Sequence, residues 1–121
     1  MLVVDDDAIN RTLATAMLRK IGLQADVAKD GHESVAMVSH KAYSIVLMDM
    51  QMPGMDGVEA TEAIRQLPLP RQPYIIALTA SAFDSDRERC LNAGMNDFLS
   101  KPFRLQALRE KLATLPNPVF D

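Results

Sequence analysis

One cysteine, Cys90, in a chain of 121 residues cannot close an internal disulfide, so a reducing compartment is expected rather than a stapled secreted scaffold. No apolar run approaches the ~20 residues needed to cross a bilayer; Tyr74–Leu78 is typical of the longest stretches. The N-terminus shows no basic segment followed by an apolar core, and no membrane contact is expected. A surplus of positive charge is missing too. The 13 basic and 16 acidic side chains give a formal net charge of −3, which argues against a surface built to grip nucleic-acid phosphates. Repeats, low-complexity tracts and interdomain linkers are absent. What remains is a cytoplasmic globular domain whose 48% hydrophobic content suits one core over residues 1–121.

Two kinds of segment alternate along the chain. Short apolar runs at Leu2–Val4, Leu23–Ala28, Ser44–Met48, Tyr74–Thr79 and Asp97–Ser100 read as strands. The third and fourth are apolar on successive residues, as expected of parallel strands covered on both faces. Gln24 and Asp26 interrupt the second and make it the exposed edge. Between them lie helical patterns. Ile9, Leu13, Met17 and Ile21 recur every four residues and are expected to face the sheet, with Asp7 as N-cap and Gly22 as stop signal. His32–His40 presents Val35 and Val38, and Val58–Leu67 presents Val58, Thr61 and Ile64. Ser85 and Glu88 fit a capping box before a helix closed by Gly94. The last stripe is Leu105, Leu108, Leu112 and Leu115, ended by Pro116, with Pro116–Asp121 as a tail. The three prolines of Pro68–Pro73 require a loop.

The pattern is (βα)5: an α/β, doubly wound parallel five-stranded sheet with right-handed crossovers. A flavodoxin-like order 2-1-3-4-5 is the economical one. In such sheets ligands gather outside the carboxyl ends of the strands, near the switch in strand order. The first strand there ends in Asp5-Asp6-Asp7, the third in Asp49, the fourth in Thr79-Ala80-Ser81 and the fifth in Lys101-Pro102. Carboxylates converging from neighbouring strands raise one another's pKa values unless a cation joins them. Oxygen-only ligands suit Mg²⁺. A phosphoryl group carried on Asp49 would be offset by Mg²⁺ and the Lys101 ammonium, with Thr79 binding one oxygen. Each piece alone has a plain explanation, because an Asp after a buried strand usually caps a helix and a Lys-Pro usually forms a loop. Four strand ends aimed at one cleft favour the functional reading.

These residues resemble the receiver domain of two-component response regulators over almost the whole chain. Val3-Val4-Asp5-Asp6-Asp7, Leu47-Met48-Asp49-Met50-Gln51-Met52-Pro53-Gly54-Met55-Asp56-Gly57, Ala77-Leu78-Thr79-Ala80 and Phe98-Leu99-Ser100-Lys101-Pro102-Phe103 carry the likeness, in order. The resemblance implies that Asp49 accepts a phosphoryl group from phosphohistidine on a histidine kinase or histidine phosphotransfer domain. Asp5, Asp6, Asp49 and the backbone carbonyl of Gln51 would hold Mg²⁺, with Mn²⁺ able to replace it. Thr79 and Lys101, with the N–H groups of Met50 and Ala80, would bind phosphoryl oxygens. Lys101–Pro102 is the expected cis peptide, and Thr79 and Phe98 the expected switch pair reshaping the face of the fourth helix, fifth strand and fifth helix. Gln51 and Ser81 match positions that tune phosphoryl lifetime. Asn10-Arg11, Glu59-Ala60-Thr61 and Gly94-Met95-Asn96-Asp97 resemble receivers of hybrid sensor histidine kinases, which implies a longer natural chain; a stand-alone regulator is the alternative. Such a domain is a self-modifying acceptor with autodephosphorylation rather than a multiple-turnover enzyme.

Ala14 and Leu18 form a second apolar strip on the first helix, either the edge of the core or a docking strip for a phosphotransfer partner. His32 and His40 are expected at the surface, Cys90 as half-buried packing, Met48 in the core, and Met50 and Met55 as adaptable partner contacts. Asp5 and Asp7 imitate the Asp-x-Asp motif of aspartate-based phosphatases, but that class needs a larger body or cap to hold its substrate. A degenerate, binding-only receiver is disfavoured because every acidic, hydroxyl and lysine position is present.

Overall fold

A computed structural model describes residues 1–80 and 84–113, and the side chains of all of these except 84–86. The strands are β1 (Leu2–Val4), β2 (Asp26–Ala28), β3 (Ile45–Asp49), β4 (Tyr74–Thr79) and β5 (Asp97–Ser100). The helices are α1 (Ala8–Lys20), α2 (Gly31–His40), α3 (Gly57–Arg65), α4 (Asp84–Ala93) and α5 (Leu105–Ala113). All pairings are parallel, as the strict alternation predicts, and the sheet order is β2-β1-β3-β4-β5, the economical one. No helix among the described residues is long and apolar enough to cross a membrane.

The sheet is buried on both faces. Leu2, Val4, Val46, Met48, Ile75 and Ala77 pack towards α2, α3 and α4 with Val38, Ile64 and Cys90. Val3, Ile45, Leu47, Ile76 and Leu78 pack towards α1 and α5 with Leu18, Leu108 and Leu112. Successive strand residues point to opposite faces, which is why continuous apolar runs are needed here. The observed β2 is shorter than Leu23–Ala28 because β1 offers only three residues, pairing Leu2 with Asp26 and Val4 with Ala28. Tyr43 Oη donates to Asp26 Oδ2 at 2.6 Å, and Lys41 Nζ lies 2.9 Å from the same oxygen.

Helix ends follow local chemistry. Asp7 caps α1 by accepting from Ile9 and Asn10 N–H. A reciprocal capping box lies at Asp56 and Glu59, opening α3, where the sequence has the Asp-x-x-Glu spacing. The side chain of Ser85 lies outside the described residues, as do Ser81, Leu115 and the Pro116–Asp121 tail. Gly94 closes α4 at φ 105°. A Cβ there would also press on Arg65, whose guanidinium donates to Gly94 O, Pro73 O, Gln72 Oε1 and Asn96 Oδ1 at 2.8–2.9 Å. Arg65 thereby fastens the end of α3 to the starts of β4 and β5.

Several expectations are corrected. On α1 the buried residues are Ala14 (4% exposed) and Leu18 (0%), whereas Ile9 (70%) and Leu13 (53%) face solvent. Four-residue steps advance about 400° around a helix, so a run of four drifts by roughly 120° and cannot lie wholly on the sheet. Ala14 and Leu18 are core, not a docking strip. Cys90 is fully buried, its Sγ 3.4 Å from Met50 Sδ, and Met50 is likewise buried rather than a partner contact. Met55 is half-buried against the core, and Met48 is core as expected. His32 and His40 are exposed on α2.

Candidate functional site

Register builds the site. Val4 pairs with Met48, which sets Asp5, one residue past β1, beside Asp49 at the end of β3. Asp49 pairs with Leu78, leaving Thr79 one step beyond, and Thr79 pairs with Ser100, leaving Lys101 one step beyond again. The twist of the sheet brings these staggered ends to one hollow. Lys101 Nζ stands 3.0 Å from Asp5 Oδ2 and 3.2 Å from Asp49 Oδ1. The Lys101–Pro102 peptide is cis, and Lys101 N–H donates to Thr79 O at 2.6 Å. Thr79 is buried and Ala80 exposed at the rim.

The acidic loops are held by their own backbone. Asp5 Oδ1 accepts from Asp7 N–H at 3.0 Å, and Asp49 Oδ1 accepts from Gln51 N–H at 3.2 Å. Arg11 Nη1 donates to Asp5 O at 2.7 Å, tying the turn to α1. Gly57 N–H donates to Met50 O at 3.1 Å. A side chain at Gly57 would run into the carbonyl oxygen of Asp49, so only glycine lets α3 approach this closely. The amide of Met50 is corrected: it donates to Leu78 O at 3.0 Å, continuing the β3–β4 ladder, and the N–H turned towards the Asp49 carboxylate belongs to Gln51.

Burial is the strongest influence on Asp49, and with the nearby Asp5 charge it raises the carboxyl from 3.8 to about 6 against the pull of Lys101. For Lys101, burial works to lower the ammonium pKa, but the hydrogen bond to Asp5 and the charge of Asp49 outweigh it and the net direction is up. Ligand oxygens of Asp5, Asp6 and Asp49 all lie within 4.8 Å of one another, with Asp6 exposed and the other two buried. Three carboxylates against one ammonium leave two negative charges uncompensated, and the all-oxygen donor set is that of a hard divalent cation. Phe98 is half-buried between α4 and α5, its ring centre 4.7 Å from the Arg87 guanidinium carbon and 5.2 Å from Lys111 Nζ. A cavity of about 530 Å³ opens beside the acceptor loop, bounded by Gln51, Met52, Thr79 and, from α4, Arg89. Arg11 and Gly57 stand in the sequence only as members of motifs, with no role of their own, and Arg89 carries no motif signal.

A 2-1-3-4-5 parallel sheet whose central strand ends surround an acid–lysine cluster defines a doubly wound α/β domain with its site at the switch in strand order. Residues 1–113 match the response regulator receiver domain, and the chain belongs to that family. It is 43% identical over 113 residues to the sensor histidine kinase RcsC of Salmonella typhi, covering 93% of this chain and 12% of the kinase. The chain thus spans about an eighth of the length of that relative. Among solved structures, the receiver domain of sensor histidine kinase PA1611 from Pseudomonas aeruginosa PAO1 has 43% identity and a TM-score of 0.83, covering 91% of this chain and 90% of that one. That receiver holds a magnesium ion in its active site cleft. The Saccharomyces cerevisiae receiver of Ssk1, solved with the histidine phosphotransfer protein Ypd1, has 33% identity and a TM-score of 0.83, covering 91% and 83%. The chain is a receiver domain of two-component signalling, homologous to receivers of hybrid kinases and phosphorelay proteins.

Proposed function

We propose that this receiver accepts a phosphoryl group on Asp49 in a Mg²⁺-dependent transfer from phosphohistidine. The observation that carries the reading is the Lys101 ammonium set between two buried carboxylates, Asp5 and Asp49, in a hollow still two charges negative. Asp5, Asp6, Asp49 and the Gln51 carbonyl would hold the ion, which neutralises charge on the transferring phosphoryl oxygens when bound. Asp49 supplies the attacking carboxylate oxygen. The Thr79 hydroxyl, the Lys101 ammonium and the N–H groups of Gln51 and Ala80 bind the phosphoryl oxygens and fix their orientation. With the phosphoryl group in place Lys101 gains a partner of higher charge than Asp49 alone, which favours movement of Thr79 inward and of Phe98 from between Arg87 and Lys111.

The donor is a histidine kinase or histidine phosphotransfer domain, and the parent protein a hybrid sensor kinase; the likeness to RcsC and to the Ypd1-bound receiver supports both. A helical donor would lie on exposed Ile9 and Leu13, the latter lining a groove of about 400 Å³ that Met17, Phe103, Asp5 and Lys101 also line. The domain acts as an acceptor that resets by hydrolysis, not as a multiple-turnover enzyme. Incubation with a phosphorylated histidine phosphotransfer domain and Mg²⁺ is expected to add one phosphoryl group, located to Asp49 by peptide mass spectrometry. Asp49→Asn abolishes it, and a label on any other residue overturns the proposal.

A further inference from the structure

We propose that Arg89 binds the acyl end of small acyl-phosphate donors, an inference that rests on Asp49 being the acceptor. Arg89 lines the cavity beside the acceptor loop and is the one cation among the described residues that do. Lys101 is engaged by Asp5 and Asp49 at 3.0 and 3.2 Å, and among the described residues a negatively charged donor entering this cavity meets no other cationic side chain. Arg89 itself has no ion pair among the described residues and is exposed on its solvent side. Among the described residues the one carboxylate lining the cavity, Asp56, already accepts from Glu59 N–H at 2.8 Å as the cap of α3.

Position is fixed by the next residue. Cys90 Sγ lies 3.4 Å from Met50 Sδ, seating this turn of α4 against the residue that follows Asp49. The cavity lining is apolar and buried at Met50 and Met52, and polar at exposed Gln51 and buried Thr79. Because Thr79 and Arg89 line the same cavity, a donor whose phosphoryl group lies against Thr79 has room to direct its carbonyl portion towards Arg89 on α4. A guanidinium there offers two parallel N–H groups, the geometry that matches a planar carboxyl group. In the transfer an Asp49 carboxylate oxygen forms the new bond to phosphorus. The bond from phosphorus to the acyl oxygen breaks, and the carboxylate leaves with that electron pair. No proton moves. Arg89 binds the acyl oxygens and meets the charge that develops as that carboxylate departs.

The test compares acetyl phosphate, which loses a carboxylate, with phosphoramidate, which loses an amine. Labelling is followed by intact mass across a range of donor concentrations. Arg89→Gln is expected to raise the acetyl phosphate concentration for half-maximal rate about tenfold, as loss of a partly solvated charge-assisted hydrogen bond does. Phosphoramidate labelling should change less than about threefold on the same reasoning, and Arg89→Lys should recover most of the acetyl phosphate rate. Decay of the phosphorylated form should be unaltered, a readout that a disturbed site would move. Acetyl phosphate labelling of Arg89→Gln within twofold of the parent, an equal loss with both donors, or a changed decay rate overturns the proposal. Absence of Mg²⁺-dependent labelling in the parent chain, or labelling that survives Asp49→Asn, sinks the acceptor reading instead.

Discussion

Asp49→Asn should make the metal-free domain more stable, although it removes the group the function needs. Folding raises the Asp49 carboxyl from 3.8 to about 6, chiefly by burial and then by the Asp5 charge, with Lys101 opposing. A group whose folded pKa is raised contributes stability that is fully present below its unfolded value and lost as pH rises through the folded one. At neutral pH the ionised carboxylate is therefore a net cost to the fold. Two units at ~1.4 kcal/mol each set a ceiling of about 3 kcal/mol; solvent screening and readjustment of Lys101 bring the expected gain to roughly 1–2 kcal/mol. Asparagine keeps an oxygen for the Gln51 N–H, and Lys101 keeps Asp5. Urea denaturation in chelator-treated buffer measures the gap between variant and parent. It should be widest at neutral pH, narrow as the medium is brought to about pH 4, and shrink when Mg²⁺ is added at neutral pH. Equal or lower stability of the variant at neutral pH, or a gap independent of pH, refutes the electrostatic reasoning.

Other consequences separate core from surface and site from scaffold. Leu18→Ala empties a fully buried position and should cost about 2–5 kcal/mol in chemical denaturation, whereas Leu13→Ala should cost about 0.5 kcal/mol or less. Leu13→Glu should leave the fold intact and weaken transfer from a phosphotransfer domain, seen as slower labelling by that donor alone. Gly57→Ala forces α3 away from the Asp49 carbonyl and should lower both the thermal midpoint and the labelling rate, because the acceptor loop moves with it. The Tyr43 phenol, raised to about 12 by burial and then by its bond to Asp26, should titrate there by ultraviolet absorbance in the folded chain. Its stabilising contribution is complete below 10 and lost as pH rises through 12, while that of Asp26, whose pKa is lowered by Tyr43 and Lys41, is present above 3.8 and lost as pH falls through the lowered value. Tyr43→Phe removes the alkaline slope and reduces the acid one without abolishing it, since Lys41 still holds Asp26, in denaturation experiments run against pH.

The alternation of branched runs with helical stripes was enough to specify a parallel doubly wound sheet, and the acidic, hydroxyl and lysine residues at the strand ends named groups that the fold brings together. Those features depend on local periodicity and on the rule that parallel strands need crossovers, so they survive without coordinates. Which face of α1 meets the sheet did not. Its apolar residues occupy more of the circumference than the sheet can cover, and packing against Leu47 and Leu112 selected Ala14 and Leu18 while leaving Ile9 and Leu13 outside. The direction of the Met50 and Gln51 amides was equally hidden, because a strand's N–H groups alternate between neighbours and only the β3–β4 register says which one is already engaged. The placing of Arg11, Arg65 and Arg89 is of the same kind. An arginine's reach joins elements far apart along the chain, as where Arg65 meets Asn96, and such a meeting exists only once the sheet has set the distance. Sequence determined the chemistry available at the strand ends; tertiary packing decided which groups of the scaffold face it.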